Sequence, residues 1–269
     1  MNSQGSVVWT IGPDVDGDSQ MELDRCMARA AVANGKIYAR FYHFVPPCVS
    51  LGCFQQKDEI DPIRCAEVGI DITRRPTGGR AVLHKGDLVY SVAVPMLIPG
   101  MEMPKGMIHV GVYNAVSEIL QQAFNSLGLG SSAAHEKAEK LPDLPARARL
   151  CFSSATKYEV QIQGRKVVGS AQRKYRNVVL QHGSILVTDD HLQLVDLLPD
   201  LEDSTRKRLH DSMERKTISL RQAGFEGDED VLIKALETSF EQQLGSLERM
   251  KSLDFVKHVE SCSHVDLED

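Results

Sequence analysis

The apolar residues of this chain change their period in mid-sequence, and that change restricts the accessible folds more than any other feature. Across residues 107–127 they recur at Ile108, Val112, Val116, Ile119, Leu120, Ala123 and Leu127, the spacing of one helix face, and Gly128 and Gly130 stop the pattern. On both sides the sequence reads as short strands, at 7–10, 37–42, 48–53, 71–75 and 88–94 before it and at 157–163, 166–172 and 178–187 after it. In 157–163, Tyr158, Val160 and Ile162 alternate onto one face, and Gly164 turns the chain back. A capping-box pattern, Asp18-Ser19-x-x-Glu22, opens an earlier helix with Leu23, Cys26, Met27, Ala30 and Ala31 on one face and Gly35 as its stop. Pro46-Pro47 bars helix and central-strand pairing at that point. Residues 131–149, polar and with two prolines, read as a long loop of the kind that covers a site. After Leu197-Leu198-Pro199 the chain reads as mostly helical, most clearly at 230–244. Strands and helices mixed in this way, with no repeat and no linker, predict an α+β fold: one domain over residues 1–245 and a tail over 246–269.

Composition narrows the function classes. No uninterrupted apolar run reaches the roughly 18 residues that a membrane span needs. Met1-Asn2-Ser3-Gln4-Gly5 has neither the basic nor the apolar part of a secretory signal. Lys and Arg number 31 against 37 Asp and Glu, a formal net charge of −6, which argues against nucleic acid as a partner. The six cysteines, Cys26, Cys48, Cys53, Cys65, Cys151 and Cys262, form no CxxC pair and no Cys/His cluster at zinc spacing. Neither a disulfide framework nor a metal site is expected, and the expected compartment is a reducing cytoplasm. Whether any cysteine does chemistry is left to the motifs.

Three segments carry chemical potential. In Arg74-Arg75-Pro76-Thr77-Gly78-Gly79-Arg80-Ala81-Val82-Leu83-His84 the paired glycines fit a simple hairpin turn, or a backbone that a ligand approaches closely among arginines. The pattern is not a P-loop. Cys151-Phe152-Ser153 stands between the long loop and the first strand of a hairpin, with Lys166 on the next strand. A buried structural cysteine and a solvated lysine are the plain readings. If the two converge, the ammonium favours the thiolate, which is the nucleophilic form, and can polarise an acyl carbonyl. In Gln181-His182-Gly183-Ser184, His182 is a candidate base or a hydrogen-bonded structural residue. No Ser/His/Asp spacing and no Gly-x-Ser-x-Gly elbow suggests a serine hydrolase, and His84 and His182 have no third metal ligand.

Together, Arg-Arg-x-Thr-Gly-Gly-x-Ala-Val-x-His, then Gly-x-Lys-Val-x-Gly-Ser-Ala-Gln, then Leu-Gln-His-Gly-Ser-Ile-Leu resemble the lipoate and biotin protein ligase catalytic domain. Arg40-Phe41-Tyr42 and Ser50-Leu51-Gly52-x-Phe54-Gln55 extend the resemblance over residues 6–240. It implies a mixed β-sheet flanked by helices, with a second small sheet. Within the family, Arg80 stands where lipoate ligases typically carry a third glycine, the Gly-Arg-Gly-Arg segment of biotin ligases is absent, and residues 246–269 leave no room for a ligase accessory domain. The chain is most similar to the cysteine-dependent octanoyltransferases of lipoate assembly.

That resemblance implies ping-pong acyl transfer. Cys151 is the acyl-thioester nucleophile, and Lys166 lowers its pKa and holds the acyl carbonyl. Arg75, Gly78, Gly79 and His84 line the acyl pocket, with Gly169, Gln181, His182 and Gly183 on its facing wall. The donor is octanoyl-acyl carrier protein, the acceptor is a lysine of a lipoyl domain (glycine cleavage H protein or a dehydrogenase E2 subunit), and the protein is a monomer with no cofactor. An amidotransferase between lipoyl proteins, an ATP-dependent lipoate ligase and a non-enzymatic carrier-binding module are the alternatives. Arg74, Arg75, Arg80, Lys85, Arg165, Arg173, Lys174 and Arg176 crowd near the motifs, either as a docking surface for acidic partners or as unconnected solvated charges.

Overall fold

Val7, Val8 and Trp9 open strand β1 (Val7–Ile11), the first element of a computed structural model that describes residues 7–96, 108–134 and 159–267. Helix α1 (Gly17–Asn34) follows and ends at Gly35, whose φ of +61° suits a residue without a Cβ. Its cap is Asp16, which accepts from the Ser19 amide at 3.0 Å, two residues before the predicted one. Next come β2 (Ile37–Tyr42), β3 (Cys48–Leu51), α2 (Pro62–Glu67), β4 (Asp71–Arg74), β5 (Val82–His84) and β6 (Asp87–Pro95). Helix α3 (Ile108–Ser126) is the mid-sequence helix that the apolar period predicts. The remaining elements are β7 (Ser131–Ala134), β8 (Glu159–Ile162), β9 (Arg165–Lys166), β10 (Val168–Lys174), β11 (Val178–Leu186), α4 (Asp203–Lys216), α5 (Glu229–Leu244), β12 (Leu247–Arg249) and α6 (Ser252–Glu260). No helix among the described residues is long and apolar enough to cross a membrane.

The main sheet has the order β10-β11-β6-β2-β1-β12, parallel across β2-β1-β12 and antiparallel elsewhere. Alternation along its strands separates two cores. Val7, Trp9, Ala39, Phe41, Tyr90 and Val92 face α3 and α5, while Val8, Tyr38, Ala93 and Leu180 face α1 and α6. A second sheet, β4-β3-β5, packs its apolar side on α4 and on a 3-10 segment, Asp189–Leu197. The expected mixed sheet with a smaller companion is present, and a third sheet, β7-β8-β9, joins them.

Four local expectations change. Residues 131–149 do not begin as a loop, because Ser131–Ala134 pairs with β8; positions 135–149 lie outside the described residues. The strand predicted at 166–172 bends at Val167, where the chain leaves one sheet for another: Lys166 pairs with Gln161 and Val168 with Ile185. Strand β5 has only three residues, too few for alternation to show in sequence. The segment expected as a tail supplies β12 at the edge of the main sheet and α6, whose Phe255 and Val259 are buried against the α1 face.

Candidate functional site

The α1 face of the main sheet and the small β4-β3-β5 sheet do not close on one another completely. Between them lies a cavity. Its floor is apolar: Met21 from α1, Tyr42 at the end of β2, Phe44 just beyond it, and Val89 from β6. Val82 and Ala171 extend that lining, and β10 and β11 contribute Gly169, Ser170, His182, Gly183 and Ser184. Gly183 cannot be larger, because a Cβ there would lie 2.6 Å from both the Gly169 carbonyl oxygen and the Tyr90 ring.

Polar groups enter the cavity wall in two buried networks. On the small-sheet side, His84 Nδ1 is 2.8 Å from the Asp87 carboxylate, which also accepts from Ser184 Oγ at 2.6 Å. His84 Nε2 is 2.8 Å from Ser50 Oγ, and the Phe44 ring stacks on the imidazole at 4.4 Å. Arg75 donates to Ser50 O at 2.7 Å and Ser50 Oγ at 3.2 Å, and also to Gly78 O and Arg80 O at 2.8 and 2.7 Å. Its guanidinium therefore ties the Thr77-Gly78-Gly79-Arg80 loop back onto β3. Gly52 permits the close approach of this loop, since a Cβ there would come within 2.1 Å of Gly79 O.

The main-sheet network centres on Asp24, fully buried on α1. Arg40 Nη2 and Nε donate to its Oδ1 at 2.7 and 3.0 Å, and His182 Nδ1 lies 3.0 Å from its Oδ2. Burial alone would raise the pKa of this carboxyl; the Arg40 charge and the His182 hydrogen bond outweigh it and hold the pKa at about 2, below the ordinary 3.8. Burial pushes the His182 pKa down from 6.5, against the pull of Asp24, so the imidazole is neutral at pH 7. A neutral ring that donates from Nδ1 accepts at Nε2, where Thr77 Oγ1 lies at 2.5 Å. His182 thus links the helix to the Thr-Gly-Gly loop across the cavity wall.

Of the residues predicted for the pocket, Arg75, His84, Gly169, His182 and Gly183 line this cavity. Gly78 and Gly79 belong to the adjoining loop that Arg75 clamps. Gln181 is not among the lining residues: it alternates to the other face of β11, donating to Tyr90 Oη at 2.9 Å and accepting from Gln172 at 2.8 Å. Lys166 is a buried residue of β9, also outside the lining, and its carbonyl accepts from the Ile218 amide at 3.0 Å. Cys151 lies outside the described residues. Sequence reasoning missed Asp24, Asp87 and the apolar floor, and singled out Ser50 only as part of a motif. The available signal was the placement of Gln20 and Asp24 on the same helix face as Leu23 and Met27, which demands a buried cation.

The basic residues near the motifs are largely engaged. Arg74 donates to the carbonyls of Gly52, Cys53 and Gln55, at 2.9, 3.3 and 2.7 Å. Arg80 pairs with Glu59 at 3.3 Å, and Lys85 donates to Gln193 at 2.8 Å. They brace loops around the cavity.

Residues 16–242 match the family model for the lipoyl protein ligase A/B catalytic domain. The octanoyltransferase LipM of Kyrpidia tusciae is 38% identical over 210 residues, covering 77% of this chain and 75% of that protein. Its counterpart in Bacillus subtilis is 34% identical over 229 residues, covering 82% and 81%. Among solved structures, that of a bipartite lipoate protein ligase and its E2 lipoyl domain from Thermoplasma acidophilum gives a TM-score of 0.70 at 21% identity, covering 97% of this chain and 91% of that one. Lipoate-protein ligase A bound with ATP gives 0.67 at 22% identity, covering 96% and 93%. The two structural likenesses speak to the fold.

Proposed function

The chain belongs to the lipoyl protein ligase A/B catalytic-domain family, and from that premise we propose that the cavity between its sheets holds the octanoyl group during acyl transfer in protein lipoylation. The enzyme is an octanoyltransferase, the activity named for its relatives, and its acceptors are lipoyl-domain proteins. The observation that carries this reading is the cavity itself: an apolar floor of Met21, Tyr42, Phe44 and Val89 beneath a polar rim from β3, β5 and β11. Burying the six methylenes of an octanoyl chain there contributes about 5 kcal/mol.

In this reading the donor is octanoyl-acyl carrier protein and the enzyme acts as a monomer. The Cys151 thiolate attacks the thioester carbonyl, the carbon–sulfur bond to the carrier breaks, and the carrier thiol leaves with a proton. Lys166 favours the thiolate and stabilises the developing oxyanion. The ε-amine of an acceptor lysine then attacks the enzyme thioester, forming the amide and releasing Cys151. Because a thioester already stores the activation, the reaction draws on no nucleotide.

Mass spectrometry tests the reading directly. After mixing with octanoyl-acyl carrier protein, Cys151 gains an octanoyl adduct, which a lipoyl domain discharges; Cys151→Ala abolishes both adduct and transfer. Wild-type transfer rates in Cys151→Ala would overturn the nucleophile assignment. Strict dependence on ATP and free octanoate would indicate a ligase, and transfer only from an octanoylated lipoyl protein would indicate an amidotransferase.

A further inference from the structure

The cavity wall contains a complete serine–histidine–aspartate relay that the cysteine mechanism does not use. Ser50 on β3, Arg75 just after β4, and His84 on β5 all line the cavity, and Asp87 stands behind His84 at the start of β6. Proton positions follow from the chemistry of each partner. A carboxylate only accepts, so His84 Nδ1 carries the proton that it shares with Asp87 at 2.8 Å. His84 Nε2 is then a lone-pair acceptor, and Ser50 Oγ, 2.8 Å away, donates to it. Ser184 Oγ donates to the same Asp87 oxygen at 2.6 Å, and the stacked Phe44 ring fixes the imidazole plane. Arg75 Nη1 donates to Ser50 Oγ at 3.2 Å, so a fixed cation holds the hydroxyl in place beside His84. All three members are almost wholly buried.

We infer that Ser50 is a second acyl-accepting nucleophile of this pocket and that the Ser50–His84–Asp87 relay gives the protein a hydrolase activity toward medium-chain acyl thioesters and activated esters. The inference rests on the reading of the cavity as an acyl pocket. Ser50 Oγ attacks the acyl carbonyl as His84 Nε2 takes its proton; the bond to the leaving thiol breaks, and the thiol departs with that proton. Water then attacks the Ser50 ester, again delivering a proton through His84, and the free fatty acid leaves as Ser50 Oγ is reprotonated. Water is the only co-reactant. Hydrolysis of this kind would clear acyl groups that enter the pocket and are not passed to an acceptor.

The test uses the full chain as Cys151→Ala, which removes the competing thiol. This variant is expected to hydrolyse p-nitrophenyl octanoate and to take up a fluorophosphonate probe at Ser50, read by peptide mass spectrometry. Adding Ser50→Ala or His84→Ala is expected to lower the hydrolysis about a hundredfold, the scale of a positioned histidine base. Equal rates in Cys151→Ala with and without Ser50→Ala would overturn the inference, as would an unlabelled Ser50. The labelling needs no change at Ser50, so it decides the matter even if Ser50→Ala fails to fold. A merely structural hydrogen-bond network would leave the probe unbound. Wild-type protein that forms the Cys151 adduct while Ser50 in Cys151→Ala stays unlabelled removes the relay and leaves the transferase reading standing; absence of the Cys151 adduct counts against the transferase reading itself.

Discussion

Asp24 keeps a negative charge inside the α1 face because Arg40 and His182 reach it from two strands of the main sheet, and Gln20 takes two further guanidinium donors at 2.6 and 2.7 Å. The Arg40 guanidinium also lies 3.9 Å above the Tyr42 ring, part of the cavity floor. Asp24→Asn would leave a buried cation without its counter-charge. The expected loss is about 3–5 kcal/mol, read from the urea midpoint, and a wild-type midpoint would contradict the pairing. Little of this was legible in sequence. The apolar residues of α1 mark its buried face, but Asp24 sits among them, and the partners that make its burial tolerable lie 16 and 158 positions away. Ser50 and His84, 34 positions apart, were hidden for the same reason, and so no triad spacing could be read along the chain.

At the scale of elements, the N-terminus of α1 shows how packing selects among locally equivalent signals. Asp16, Asp18 and Ser19 all suit a helix start. Gly17 decides between them: a Cβ there would meet Cys48 Sγ at 2.7 Å and Thr73 Cβ at 2.9 Å, so the first turn is pressed against the small sheet. Asp18 is consequently drawn to Thr73 Oγ1, and Glu22 pairs with Arg25 and Arg29, leaving Asp16 as the cap. Asp16→Ala is expected to cost about 1 kcal/mol, whereas Asp18→Ala would leave the cap in place. Thermal melts of the two variants check this, and an unchanged melting point in Asp16→Ala would refute it. The Thr77–Arg80 loop follows the same logic. Its glycines announce a tight turn, but Arg75 and the missing Cβ of Gly52 determine which strand it closes on.

Across the whole molecule, buried histidines tie stability to pH. Burial pushes the pKa of His182 and of His191 down from 6.5, so in the folded state both keep the neutral form to lower pH than in the unfolded chain, where they take up protons as pH falls through 6.5. The unfolded state then binds more protons, and stability drops. Asp24 adds a second step: its contribution is complete above pH 3.8 and is lost as pH falls toward about 2. His43, raised by its Glu229 partner, acts in the opposite direction, but the pair is partly exposed and weak. The urea midpoint is therefore expected to fall between pH 7 and pH 5; a flat midpoint would contradict these assignments. The sequence by itself determined the longer helices and most of the longer strands, because apolar period, turn glycines and prolines act over a few residues, whereas β5, β7 and β12, of three or four residues each, are too short to show a period. It also carried the motifs that mark the family. Only the tertiary structure decided which side chains share the cavity, that Gln181 turns away from it, and that residues 247–260 complete the main sheet and cover α1. Those facts rest on strand register and on the approach of two sheets, which join residues far apart in the chain and leave no periodic trace along it.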